Sequence, residues 1–182
     1  SLINIAVDYY KDRDDVRAKF LSYYYLGRIY TNANNLTQAT LAYMEAEQLV
    51  DELDDDYAAG LLYEQIGLIY RSYYDFPKSL QAYQQAIEHY TKANRPFHKI
   101  YNMFSASDIY RNTQKEDAAY QTLKTALAES RKLNDQSLVK SCINNLIVVC
   151  IDLERWEEAT QWYQEYQKNN SRNYPTVAFY GY

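Results

Sequence analysis

"YYYLGRIY", residues 23–30, sets three consecutive tyrosines ahead of a glycine and closes on a fourth tyrosine. A glycine inside a helix-forming run costs about 1 kcal/mol relative to alanine, so it calls for a packing reason. The reason emerges when the stretch is compared with the rest of the chain. Gly27 is followed at a spacing of 40 residues by Gly67, Ser107 and Ile147. Tyr30, Tyr70, Tyr110 and Cys150 keep the same spacing, as do Ala39, Ser79, Ala119 and Ala159, and Tyr43, Tyr83, Leu123 and Tyr163. Four ungapped columns of similar residues mark a repeat architecture, in which one unit buries its apolar stripe only against its neighbours.

The unit reads Tyr23, Leu26, Gly27, Tyr30, then Ala39, Tyr43 and Ala46. This resembles the tetratricopeptide repeat (TPR), W-x2-L-G-x2-Y followed by A-x3-F-x2-A, with Tyr23 in the Trp position. Tyr63, Ile66, Gly67, Tyr70, Ser79, Tyr83 and Ala86 repeat it. Weaker copies follow at Met103, Ala106, Ser107, Tyr110, Ala119, Leu123, Ala126 and at Ile143, Leu146, Ile147, Cys150, Ala159, Tyr163, Tyr166. The period of 40 exceeds the usual TPR length of about 34, and the surplus lengthens both helices of each pair. Ile3 and Ala6 lie 40 residues before Tyr43 and Ala46, so residues 1–12 match the second helix of an earlier repeat.

The fold expected is all-α: a right-handed α-solenoid of about four and a half TPR-like helix-turn-helix repeats. One repeat domain is predicted over residues 1–169. Its half repeat is 1–12, and its helix pairs are 15–32 with 36–53, 56–73 with 77–93, 96–112 with 116–133, and 136–152 with 156–169. Pro77 and Pro96 suit first-turn positions, Asp75 suits a helix cap, and Asn34 and Asn35 suit a tight inter-helix turn, where Asn tolerates a left-handed conformation. Residues 170–182, "NSRNYPTVAFYGY", leave the periodicity. Their apolar and aromatic content predicts docking on protein, in cis or as self-association in trans.

Composition narrows the function. The chain holds 19 basic and 24 acidic residues, a net charge of −5, which argues against a nucleic-acid partner. No apolar run approaches the roughly 20 residues that span a bilayer. Cys142 and Cys150 sit on one predicted helix with backbones about 12 Å apart, too far for a disulfide, and read as small buried side chains. The acidic run "DELDDD", 51–56, lacks the spacing of a calcium loop. His89 and His98 have no cysteine nearby for a zinc site. No nucleophile elbow or phosphate loop is present, so no enzyme, metal or cofactor is predicted.

In TPR proteins the first helix of each pair lines a concave groove. Carried over by alignment, that face holds Leu21, Tyr24, Arg28 and Asn32; Leu61, Glu64, Leu68 and Arg71; Tyr101, Phe104, Asp108 and Arg111; and Asn144 with Val148. The resemblance therefore implies a groove for a protein or peptide of acidic or aromatic character. The family's carboxylate clamp uses Lys and Asn, and Tyr24 and Arg28 stand in two of those places. Tyr23, Leu26, Gly27 and Tyr30 are assigned to packing, and Tyr25 to the rim or a neighbouring repeat.

The leading reading is a non-catalytic interaction module, similar to repeat regions of bacterial regulatory proteins that join such arrays to membrane or DNA-binding output segments. A structural or oligomerisation scaffold without a ligand is the second. An accessory protein of nutrient uptake at the cell envelope is the third, and the uninterrupted 40-residue spacing counts against it.

Overall fold

A computed structural model describes residues 2–171, with side chains through residue 168. Among the described residues all regular secondary structure is helical, as the repeat predicts. The helices are α1 (Leu2–Tyr10), α2 (Val16–Asn32), α3 (Leu36–Glu47), α4 (Val50–Leu53), α5 (Asp56–Ser72), α6 (Phe76–Lys92), α7 (Pro96–Asn112), α8 (Glu116–Lys132), α9 (Gln136–Asp152) and α10 (Trp156–Ser171). The fold is that of a TPR-like solenoid. One element differs from expectation: the helix predicted over 36–53 breaks into α3 and α4. At the break the backbone tightens, with Leu49 N–H donating to the Ala46 carbonyl at 3.1 Å.

The turns explain why the helices are so regular. Among the described residues, seven non-glycine residues have positive φ, between 48° and 60°: Asn34, Asp54, Tyr74, Asn94, Gln114, Asn134 and Glu154. They fall every 20 residues, so the helix and its turn form the elementary period and the pair gives 40. At Asn34, Tyr74, Asn94, Gln114 and Glu154 the next residue's N–H reaches back five positions, as in Asn35 to the Tyr30 carbonyl and Asp75 to the Tyr70 carbonyl. That is the Schellman closure, which satisfies the orphan carbonyls of the finished helix. The same next residue often caps the new helix. Asp15, Asn35, Asp55, Asp75 and Asp135 each accept from the backbone N–H three residues on.

Tyr74 is the poorest fit among these turn residues, because a bulky side chain at positive φ is strained. It is 79 % exposed, so little packing compensates. Tyr74→Asn installs the residue that Asn34, Asn94 and Asn134 supply in sister turns. It is expected to stabilise the protein by about 0.5–1 kcal/mol, read as a raised urea midpoint with an unchanged slope. A lowered midpoint would contradict the strain reading.

Close contacts divide the chain into two compact units, Ser1–Ser105 and Ala106–Tyr182. In the first, the core runs through Phe20, Tyr24, Ala39, Tyr43, Ala46, Leu62, Tyr63, Ala86 and Tyr90. The glycine column has its packing reason here. A Cβ added at Gly27 would lie 2.4 Å from the Tyr43 ring, and one at Gly67 would lie 2.8 Å from the Tyr83 ring. Both rings sit sixteen residues after their glycine and both are fully buried. Ser79 Oγ donates to the Gly67 carbonyl at 2.9 Å across the same crossing.

In the second unit Leu123, Leu127, Cys142, Ile143, Leu146, Val149 and Cys150 fill the core. Both cysteines are free and buried, as predicted. Here the column pairs change together: Ser107 with Leu123, then Ile147 with Tyr163. Tyr163, in the column of Tyr43 and Tyr83, is 51 % exposed. Its buried counterparts Tyr43 and Tyr83 lie over a glycine, and Ile147 takes that space in the last pair. Residues 170 and 171 end α10, and the rest of the aromatic tail, 172–182, lies outside the described residues.

Candidate functional site

Within the first unit the predicted first-helix face is carried by α2, α5 and the start of α7. Arg28, Asn32, Arg71 and Tyr101 are exposed there, and Glu64, Leu68 and Phe104 are half-buried. Tyr101 and Phe104 meet edge to face with ring centroids 6.0 Å apart. Neither Arg28 nor Arg71 has a carboxylate partner among the described residues. Other arginines do: Arg17 holds Asp55 at 2.9 Å and Arg131 holds Glu165 at 2.6 Å.

Tyr24 corrects the sequence reading. It is 4 % exposed, stacked 6.1 Å from Phe20 and tilted against Tyr43 at 6.2 Å. Desolvation raises its phenol to about 12, with Arg28 opposing the shift. The reason is geometric. The buried stripe of α2 is wider than the signature: Phe20 and Tyr24 join Gly27, and Tyr43 of the same pair packs against both Tyr24 and Gly27. Tyr23, assigned to packing, is the half-buried neighbour, and Tyr25 is exposed as the rim position predicts.

A polar cluster lies beside Tyr24, and the sequence reading missed most of it. Tyr90 of α6 donates from its hydroxyl to Glu64 Oε2 at 2.8 Å. Asn102 Nδ2 donates to the same oxygen at 2.9 Å and to the His98 carbonyl at 2.9 Å. Those two acceptors fix the amide orientation, and Asn102 Oδ1 is left buried without a hydrogen-bond partner. The Tyr90 ring lies 4.9 Å from His98 and 6.2 Å from Tyr57, and Arg95 stands 4.7 Å over Tyr57. Desolvation, then the Glu64 carboxylate, raises the Tyr90 phenol well above the ordinary tyrosine range. Gly60 makes room for it: a Cβ there would stand 2.8 Å from the Tyr90 ring. Two signals were available in the columns. Gly60 stands where Phe20 and Ile100 are large, and Asn102 stands where Leu62 is apolar.

The remaining predicted residues belong to the second unit. Arg111 Nε holds Asp152 Oδ2 at 2.7 Å, so its charge is met within the protein. Asp108 is half-buried, and Asn144 is exposed. Tyr120 donates to Glu158 and lies under Arg155, which also pairs with Asp117 at 2.6 Å.

Among the described residues no group of three or more His, Cys, Asp or Glu side chains is placed to hold a metal ion. No helix among them is long and apolar enough to cross a membrane.

Comparison with known proteins follows this geometry. The family model of the soluble NSF attachment protein, SNAP, matches residues 22–176. Among solved structures the chain is similar to BtubC from P. vanneervenii, with a TM-score of 0.83 at 14 % identity, covering 100 % of this chain and 76 % of that one. It is similar to the nearly identical TPR-like repeats of a Podosopora anserina kinesin light chain, with a TM-score of 0.78 at 12 % identity, covering 96 % and 86 %. It is also similar to the Rap conjugation gene regulator of plasmid pLS20 in complex with the Phr* peptide, with a TM-score of 0.63 at 18 % identity. That match covers 85 % of this chain and 43 % of the regulator, so this chain spans less than half of it. At these identities the likeness is one of fold. No curated protein matches.

Proposed function

The chain belongs to the soluble NSF attachment protein family, SNAP, and from that premise we propose that it is a non-catalytic module that binds a protein segment. We take 1–169 as its repeat domain, with the binding face on α2, α5 and the start of α7. The observation that carries this reading is the pair of exposed arginines, Arg28 and Arg71, without carboxylate partners beside half-buried Leu68 and Phe104 and exposed Tyr101. Unpaired guanidinium groups next to apolar and aromatic surface favour an acidic segment with aromatic or aliphatic anchors. The pLS20 regulator with its peptide supplies a precedent on a similar fold.

Selection of displayed random peptides on the purified chain tests this. Enriched sequences are expected to combine Asp or Glu with aromatic residues. A synthetic peptide from that pool is expected to bind at least about tenfold more weakly to Arg28→Glu combined with Arg71→Glu. Both positions are exposed, so the helical circular dichroism is expected to be unchanged. Failure of any peptide to enrich, or equal affinity for the double variant, would refute the proposal.

A further inference from the structure

Between Ile29 and Tyr70 the chain carries eight acidic residues and no Lys, Arg or His. This stretch builds α3, α4 and most of α5. Arg17 meets Asp55 and His89 meets Asp56, both from outside the stretch. Glu45, Asp51, Glu52 and Asp54 are exposed and have no cationic partner among the described residues.

The same stretch exposes apolar side chains where its sister helices are polar. Leu41 and Met44 of α3 are 52 % and 50 % exposed. In the other three pairs the Leu41 column holds Gln81, Gln121 and Gln161, and the Met44 column holds Gln84, Lys124 and Gln164. Leu41 and Met44 are one turn apart, so they share a face. Met44 also edges a cleft walled by Tyr43, Ile66, Ile69 and Tyr70, with Glu47 at its side. The next opening is lined by Val50, Asp51, Asp54, Asp55, Asp56 and Ala59 and by His89 of α6, which pairs with Asp56. The groove between α3–α4 and α5 is thus apolar at one end and acidic at the other.

We infer that this groove docks a basic amphipathic helix of a partner protein. Aliphatic anchors on that helix enter the cleft beside Leu41 and Met44, and its Lys or Arg side chains meet Asp51 and Asp54. Charge complementarity selects this occupant, since a neutral or acidic helix would leave Asp51 and Asp54 uncompensated at the acidic end of the groove. The chemistry is opposite to that of the face bearing Arg28 and Arg71, so the two surfaces take different partners.

The probe is a synthetic amphipathic helix of leucine and lysine, compared by fluorescence anisotropy with a scrambled peptide of the same composition. The amphipathic peptide is expected to bind at least about tenfold more tightly than the scrambled one. Leu41→Gln with Met44→Gln installs residues the sister helices carry, keeps the fold, and is expected to abolish that preference. Asp51→Asn with Asp54→Asn is expected to weaken binding and flatten its salt dependence. Equal binding of both peptides, or an unaffected Leu41/Met44 double variant, would reduce the effect to non-specific charge attraction and overturn the proposal. A wild-type dimer in sedimentation that the Leu41/Met44 variant dissociates would assign the groove to a second copy and overturn it as well.

Discussion

Gly67→Leu is expected to destabilise the protein by about 3 kcal/mol, measured by urea unfolding. The added side chain would begin 2.8 Å from a ring carbon of Tyr83, and that ring is fully buried. It has no solvent-facing rotamer to retreat into without opening the crossing of α5 and α6. Replacing glycine in a helix would by itself gain about 1 kcal/mol of propensity, so the clash must exceed that gain. The sister pair offers a rescue. Gly67→Ser with Tyr83→Leu reproduces the Ser107 and Leu123 combination. The double variant is expected to lose less stability than the sum of its single changes, which a double-mutant cycle reads directly. Strict additivity would mean that the two columns do not share one contact.

Tyr90→Ala is expected to cost about 4 kcal/mol, the usual range for emptying a large aromatic site. Tyr90 is fully buried, with a glycine opposite and His98 and Tyr57 against its ring. Tyr90→Phe keeps those ring contacts and removes only the hydroxyl that Glu64 accepts from. It is expected to cost about 1–2 kcal/mol, because a hydrogen bond to a charged acceptor is lost while Asn102 still holds the carboxylate. The gap between the two variants separates packing from the polar cluster. Equal losses would place the whole contribution in the hydroxyl.

Most of the fold was legible because repetition averages out local ambiguity. Four columns at one spacing located the helices and turns, and the left-handed residue at Asn34 was readable from its side chain. The break after Glu47 was not legible, since residues 36–53 hold no proline or glycine. The proposed binding face was legible in part. Arg28, Arg71 and Tyr101 are exposed where the repeat puts them, but Tyr24 is core. The signature marks Tyr23 and not Tyr24, although Tyr24 is the one that packs against Tyr43 of the same pair. Asn102 and Tyr90 escaped because neither is a signature position; their partner Glu64 lies on the other helix of Tyr90's pair and on a different pair from Asn102, 26 and 38 residues away in sequence. A comparison of column sizes, such as Gly60 against Phe20, would have pointed to them.

The tyrosines of "YYYLGRIY" therefore divide into half-buried Tyr23 and Tyr30, a core Tyr24 and an exposed Tyr25, and the residue of the stretch that we propose for binding is Arg28. Amide hydrogen exchange of the chain, with and without a selected acidic peptide, tests that assignment most directly. Protection gained along α2 around Arg28, α5 around Arg71 and the start of α7 is what the first-helix face predicts. Protection that appears only outside those three helix segments, or no change at saturating peptide, would contradict it.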